Sequence, residues 1–228
     1  MSEQSPSLDQ ARIYLCVPAM PDIEHFLESA IRGGVDAVQL REKHLEALGI
    51  LGYARKALRV CRAMGIPFIV NDRPDLALEV EADGVHVGQD DAPPSLARKI
   101  LGSLAIVGRS THAKAELDAS ITEPVDYVSA GPVVSTPTKP GREGTGMEYV
   151  KYAVTNSPKP VFVTGGVTPE TVPQLAAIGV THYVVVRYLT ESNDPYRAAR
   201  ALKEAAARAF DRCKVSGTAN ALRGRHCQ

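Results

Sequence analysis

The chain has 228 residues, 44% of them hydrophobic and 23% charged, and its 26 basic residues balance 26 acidic ones. A net charge of zero provides no overall attraction to nucleic acid or to an anionic membrane, and no apolar stretch reaches the ~20 residues of a transmembrane helix. The polar first ten residues do not resemble a signal peptide, so we expect a cytoplasmic protein with no nucleic-acid or membrane partner.

Short apolar runs alternate with helical patterns along the chain. The predicted strands cover 13–17, 35–40, 67–71, 84–87, 104–108, 125–130, 160–164 and 182–187. The predicted helices cover 22–33, 46–64, 94–101, 112–120, 146–156, 168–178 and 194–210. Strands separated by helices indicate a parallel sheet, and eight of them in one chain favour an α/β fold, a single-domain (β/α)8 TIM barrel, over a doubly wound sheet.

The predicted barrel domain covers residues 12–210, between two segments of different character. Residues 1–11 form an N-terminal extension, and residues 211–228 lack hydrophobic periodicity, which predicts a disordered C-terminal tail. The four cysteines show no CxxC pair and no histidine at ligand spacing, which favours buried or free thiols over zinc ligands or disulfides.

Polar residues follow the apolar runs where several predicted strands end. Arg41-Glu42-Lys43 follow the second strand, Asn71-Asp72-Arg73 the third and Gly165-Gly166 the seventh, while Arg187 ends the eighth. In a parallel barrel the carboxyl ends of all strands open onto one face, and that face carries the active site. The pattern therefore predicts one polar pocket built from many strand ends.

Two carboxylates near these strand ends predict a metal site. Asp72 ends the third strand and Asp91 follows the fourth, with no histidine that would favour a softer metal. Such a pair suits Mg²⁺, which binds through one or two carboxylates plus substrate phosphates. The alternative is structural, with Asp72 capping the next helix and Asp91 acting as a cap before Pro93.

Cationic and glycine-rich segments predict anion binding around the same face. Arg41, Lys43 and Lys139 offer positive charge, and Glu42 is predicted to hold one of these cations in position. Gly165-Gly166 and Val186-Arg187 stand where barrels of this type bind phosphate. A surface charge cluster and a tight turn are the plainer alternatives. No nucleophilic triad is recognisable, and His86, inside an apolar run, is predicted to pack rather than to catalyse.

Over about residues 12 to 205 the chain resembles the thiamine phosphate synthase family. The resemblance lies in seven motifs that occur in the family's order and spacing: Gln39–Lys43, Asn71–Arg73, Ala82–Asp91, Gly108–His112, Gly131–Pro132, Thr136–Gly141 and Gly165–Thr168. It implies a (β/α)8 transferase of thiamine biosynthesis with small-molecule substrates. The enzyme would join 4-amino-2-methyl-5-hydroxymethylpyrimidine diphosphate to 4-methyl-5-(2-phosphoethyl)thiazole, giving thiamine phosphate and diphosphate.

The resemblance also implies a role for each matching position. The pyrimidine diphosphate would be held by Gln39, Leu40, Arg41, Glu42, Lys43, Asn71, Ser110 and Lys139. Asp72 and Asp91 would ligate Mg²⁺, and the thiazole phosphate would be held by Thr136, Pro137, Thr138, Gly166, Val186 and Arg187. Arg187 stands where the family often has a small serine.

The family's reaction is dissociative, since diphosphate leaves before the thiazole nitrogen captures the pyrimidine-methyl cation. Such a pocket needs positive charge on the leaving group and exclusion of water, not a nucleophilic side chain. Two rivals remain open: a related barrel that isomerises the thiazole phosphate, and an inactive barrel that binds a phosphorylated ligand for regulation. The sequence does not decide the oligomeric state, and a homo-oligomer remains open.

Overall fold

In the computed structural model, eight parallel strands close into a barrel, each paired with the next along the chain and the last with the first. The structure describes residues 8–135 and 143–223, with side chains as far as residue 212. The strands are β1 (Ile13–Val17), β2 (Ala37–Leu40), β3 (Phe68–Asn71), β4 (Gly84–Val87), β5 (Ile106–Thr111), β6 (Tyr127–Ala130), β7 (Val161–Thr164) and β8 (His182–Val185). This confirms the predicted TIM barrel.

Helices connect the strands and form the outer layer. They are α1 (Ile23–Gly33), α2 (Ala47–Met64), α3 (Pro74–Glu79), α4 (Pro94–Leu101), α5 (Lys114–Ser120), α6 (Gly146–Asn156), α7 (Val172–Ala177), α8 (Arg187–Thr190) and α9 (Pro195–Arg223). None of the helices in the described part of the chain is long and apolar enough to cross a membrane.

Alternation along the strands divides the apolar side chains into two clusters. One set packs between the strands and the helices, while Tyr14, Tyr127 and Phe162 belong to a second cluster inside the barrel. Their rings meet edge to face, with centroids 6.0 Å apart for Tyr14–Tyr127, 5.4 Å for Tyr14–Phe162 and 5.2 Å for Tyr127–Phe162. These rings fill the barrel interior, so only its carboxyl-terminal mouth is left to hold a ligand.

The structure differs from the predicted elements at two short helices. Helix α3 follows β3 where no helix is predicted, and α8 begins at Arg187, within the segment assigned to the last strand. Both helices are shorter than two turns, so neither displays a hydrophobic period that a sequence pattern reveals. As a result, Val186 and Arg187 form the start of a helix above β8 rather than the end of β8 itself.

The last helix extends past the predicted end of the barrel domain. Helix α9 continues to Arg223, thirteen residues beyond Phe210 at the predicted domain boundary. No proline interrupts this segment, and extending an existing helix avoids the cost of nucleation. Of the four cysteines, Cys16 and Cys61 lie among the residues with described side chains, and both are buried, as predicted.

Candidate active site

A cavity of about 270 Å³ opens at the carboxyl ends of the strands. It brings together residues predicted from separate motifs, namely Gln39, Arg41, Asn71, Ser110, Gly166, Val186 and Arg187. Tyr14, Cys16, His86, Ser129, Thr164, Tyr188 and Glu191 also line it, and no motif indicated them as ligand contacts. The cavity is therefore built from the ends of many strands, as the pattern predicts.

On the β2–β4 side of the mouth, charged side chains contact one another directly. The Lys43 ammonium donates a hydrogen bond to the Asp72 carboxylate and forms an ion pair with it. The Asp72 and Asp91 carboxyl groups share a hydrogen bond, and the Gly88 N–H donates to Asp91 Oδ2 at 2.8 Å. A Cβ on Gly88 would lie 2.7 Å from that oxygen, so glycine permits this close approach.

The two carboxyl groups influence each other's protonation. Burial, together with the hydrogen bond and negative charge of Asp91, raises the pKa of Asp72 against the opposing effect of Lys43. Burial also disfavours the charged form of Asp91, but hydrogen bonds from Asp72 and the Gly88 N–H lower the pKa of Asp91 overall. The pair therefore favours a shared proton or a cation between the two groups.

The residues present fit a hard divalent cation that is only partly coordinated by protein. Among residues 8–135 and 143–212, no group of three or more His, Cys, Asp and Glu side chains is placed to hold a metal. Two carboxylates are the protein contribution expected when Mg²⁺ keeps waters and takes other ligands from phosphate. The capping alternative for Asp72 is not supported, because α3 has no side-chain cap.

Asn71 offers an unused donor beside these charges. It is 9% exposed and lines the cavity, and its Nδ2 atom has no hydrogen-bond partner within the described structure. A buried amide without a partner costs free energy, which a ligand oxygen in the cavity would recover.

Glu42 and Leu40 occupy different environments from their neighbours in the same motif. The Glu42 carboxylate accepts hydrogen bonds from the backbone N–H groups of His44 at 2.7 Å and Ala19 at 3.3 Å. The ion pair of Lys43 is with Asp72. The expectation that Glu42 holds one of the neighbouring cations stays a prediction. Leu40 packs in the cluster between strands and helices, which leaves its backbone as the part able to face a ligand.

On the β7–β8 side, the Gly165-Gly166 turn lines the cavity beside the ion-paired Arg187 and Glu191. Gly165 and Gly166 have φ angles of 94° and 78°, values that side chains other than glycine rarely adopt. A Cβ on Gly165 would lie 2.5 Å from Pro132 Cβ, and one on Gly166 would lie 2.7 Å from Val134 Cγ2. These glycines are therefore required by both the turn and its close packing.

Comparison with known proteins identifies the family. The thiamine monophosphate synthase family model matches residues 13–189. The chain belongs to this family. It is similar to a thiamine-phosphate synthase of Thermus thermophilus, with 45% identity over 85% of the chain and 96% of that protein. It also matches a Synechocystis thiamine-phosphate synthase at 42% identity over 84% of the chain, but spans only 56% of that longer protein.

A solved structure supports the fold assignment. The thiamine phosphate pyrophosphorylase of Pyrococcus furiosus superposes with a TM-score of 0.79 at 24% identity, covering 87% of this chain and 96% of that one. At this level of identity the likeness bears on the fold alone. Membership of the family places the chain among the transferases.

Within the family's predicted site, one loop lies outside the described residues. Thr136, Pro137, Thr138 and Lys139 belong to it, so their predicted contacts with both ligands stay predictions. Arg187 is described: it lines the cavity, is 47% exposed and lies 4.0 Å from Glu191 in an ion pair.

His86 is a cavity-lining residue that the sequence motifs did not indicate as a ligand contact. It is buried as predicted, but it lines the cavity, and its two ring nitrogens lie 2.9 Å from Tyr127 Oη and Ser110 Oγ. The sequence did carry a signal that His86 faces the cavity. It lies two residues after Gly84 on one strand, and strand alternation directs both positions into the barrel. The nearby His112 instead contacts Glu116, with its Nδ1 atom 2.9 Å from Glu116 Oε2.

Proposed function

We propose that this chain is a thiamine phosphate synthase, joining the pyrimidine diphosphate and the thiazole phosphate named above with the help of Mg²⁺. The observation that carries the proposal is the division of the cavity mouth into two sides. On the charged side, Arg41 and Asn71 line the cavity next to the Lys43–Asp72–Asp91 set; on the glycine side, Gly165 and Gly166 line it. A diphosphate and a monophosphate are the two anions that such a division suits, and the family comparison supports this pairing.

The charged side suits the diphosphate that departs. Arg41 and Lys43 supply positive charge, and the partnerless amide of Asn71 supplies a neutral donor. Diphosphate is a good leaving group only when its developing charge is stabilised, and preorganised cations do this without further reorganisation. These residues therefore act mainly on the bond that breaks.

Asp72 and Asp91 would hold the Mg²⁺ ion, which when bound would neutralise part of the diphosphate charge. The ion pair of Asp72 with Lys43 orients that carboxylate beside the same ligand. Removal of Asp72 is therefore expected to weaken metal binding and diphosphate binding together.

The glycine side suits the thiazole phosphate, which keeps its phosphate throughout. Gly166, Val186 and the start of α8 bring backbone N–H groups to the cavity wall. Neutral donors hold a phosphate in place without favouring its departure. Arg187 adds a partly exposed positive charge at the rim.

The dissociative mechanism fits the floor of the cavity. Tyr14, Cys16 and Val184 line its lower part and are buried, so water has little access to the position of a pyrimidine-methyl cation. Exclusion of water protects such a cation until the thiazole nitrogen captures it. No residue in this scheme acts as a covalent nucleophile.

The test is an assay that mixes both substrates with Mg²⁺ and measures diphosphate and thiamine phosphate. Equal release of both products is expected from the wild-type chain. Conversion of the thiazole phosphate without diphosphate release would indicate the isomerase rival, and binding of either substrate without turnover would indicate the regulatory rival. Lys151→Ala, at an exposed position of α6, serves as a control that should behave as wild type.

A further inference from the structure

A continuous line of buried hydrogen bonds runs beneath the cavity from β2 to β5. Gln39 Nε2 donates to Tyr14 Oη at 2.9 Å, and Tyr14 Oη lies 3.0 Å from Tyr127 Oη. Tyr127 Oη lies 2.9 Å from His86 Nδ1, and His86 Nε2 lies 2.9 Å from Ser110 Oγ. We call these five residues the relay. Both of its ends, Gln39 and Ser110, line the cavity.

The orientation of the first member follows from its neighbours. The Gln39 side-chain oxygen accepts a hydrogen bond from the Cys16 thiol at 3.5 Å, so the amide nitrogen is the atom that faces Tyr14. Tyr14 therefore accepts a hydrogen bond from Gln39, and its own proton is directed elsewhere.

Tyr14 and Tyr127 each keep their hydroxyl proton. Each phenol can therefore accept a hydrogen bond from one neighbour in the relay and donate one to the next. Burial is the main cause that raises the pKa of both Tyr14 and Tyr127 well above the ordinary value. Because Tyr14 is 1% exposed, its hydroxyl needs a hydrogen-bond partner within the protein, and it donates to Tyr127 Oη. Tyr127 then directs its own proton to His86 Nδ1.

An imidazole that accepts at Nδ1 carries its proton at Nε2 when neutral. His86 Nε2 then donates to Ser110 Oγ at 2.9 Å in preference to Ser129 Oγ at 3.4 Å. Ser110 accepts this bond, which leaves its hydroxyl proton directed to the cavity that it lines.

We propose that His86 is a positioning residue, held as its Nε2–H tautomer by Tyr127 so that Ser110 acts as a hydrogen-bond donor toward the ligand. The spare amide proton of Gln39 makes the other end of the relay a donor as well. The cavity floor therefore selects a ligand group rich in acceptor lone pairs, such as the ring nitrogens and phosphate oxygens of a pyrimidine diphosphate. The identity of that ligand rests on the proposed function.

The direction of the relay also explains why the close Ser110–His86 pair does not form a hydrolytic site. A general base must accept the serine proton, whereas Nε2 here already carries one. Neighbouring packing preserves the arrangement, since a Cβ on Gly108 would lie 2.2 Å from the Tyr127 ring. Glycine at this position lets the Tyr127 ring lie against β5 and reach His86.

The tautomer can be measured without any substrate. In protein labelled with ¹⁵N-histidine, with the His86 signals assigned from the His86→Gln spectrum, we expect Nε2 to be protonated and Nδ1 to be unprotonated. Tyr127→Phe should shift His86 toward the other tautomer, while Tyr183→Phe should not. Tyr183 is an equally buried tyrosine whose hydroxyl bonds the Val180 carbonyl, outside the relay. A wild-type spectrum with Nδ1 protonated would overturn the proposal.

Kinetics then test whether the tautomer acts through Ser110. Tyr127→Phe should lower kcat/KM for the pyrimidine diphosphate about 5–30-fold, the effect of one or two lost hydrogen bonds. It should cause little further loss in a Ser110→Ala background, because both changes remove the same contact. His86→Gln, which keeps a donor near the Nε2 position, should retain more activity than His86→Asn.

Additive losses in the double variant, or an equal loss in Tyr183→Phe, would contradict the proposal. Failure of the wild-type chain to form thiamine phosphate would instead contradict the proposed function. The tautomer measurement stands apart from that result, so the two failures are distinguishable.

Discussion

The two sides of the cavity mouth present different chemical groups. On the β2–β4 side, Lys43, Asp72 and Asp91 form a connected set of charged side chains. On the β7–β8 side, Gly165 and Gly166 form the cavity wall with their backbone, beside the ion pair of Arg187 with Glu191.

This difference corresponds to different tasks in the proposed reaction. Charge that grows during bond cleavage is stabilised best by preorganised cations and a metal, whereas a phosphate that stays attached needs only to be held. We therefore expect changes on the charged side to lower turnover and changes on the glycine side to raise a KM.

The largest effect is expected at Lys43. Lys43→Ala should lower kcat by about 10²-fold or more, because a preorganised cation beside the leaving group is lost. Steady-state rates of diphosphate release would measure this, with Lys151→Ala as the control. A Lys43→Ala enzyme with a normal kcat but a raised KM for the thiazole phosphate would reverse the assignment of the two sides.

Asp72→Asn should raise the Mg²⁺ concentration needed for half-maximal activity by about 10–100-fold, the scale reported for disturbed metal sites. Without metal, the Asp72→Asn variant should be no less thermally stable than the wild-type chain, because burial and the charge of Asp91 already disfavour a charged Asp72. Thermal unfolding with and without Mg²⁺ checks both statements. An unchanged metal-induced rise in Tm would argue against ligation by Asp72.

Gly166→Ala should raise the KM for the thiazole phosphate about tenfold, since a positive φ strains alanine by about 1–2 kcal/mol. The added Cβ would also meet Val134. The matched control is Gly52→Ala in α2, where a Cβ meets nothing within 4 Å. An equal rise in the KM for the pyrimidine diphosphate would mean that the two sides are not separate.

Arg187→Ser should produce the smallest effect, a rise of about 2–5-fold in the KM for the thiazole phosphate that disappears at high salt. The modest size follows from its exposure and its ion pair with Glu191. Arg197→Ser, at an 85% exposed position, is the control. A loss of kcat in Arg187→Ser would place this charge on the reacting bond.

The sequence predicted the barrel and the composition of its charged mouth well. Asn71 ends a buried strand, Arg41 and Asp72 directly follow one, and Lys43 lies three residues after one, and that position alone directs them to the carboxyl face. The short helices α3 and α8 could not be predicted, because packing against the barrel stabilises them rather than a periodic apolar face of their own.

The chain by itself determined which residue types reach the mouth, because strand alternation and parallel topology depend on local pattern. Only the tertiary structure decided how they pair: Lys43 with Asp72, Glu42 with backbone N–H groups, and His86 with Tyr127 and Ser110. The Lys43 and His86 pairs join segments that are distant along the chain, and the direction of a buried hydrogen bond depends on every neighbour in the closed barrel.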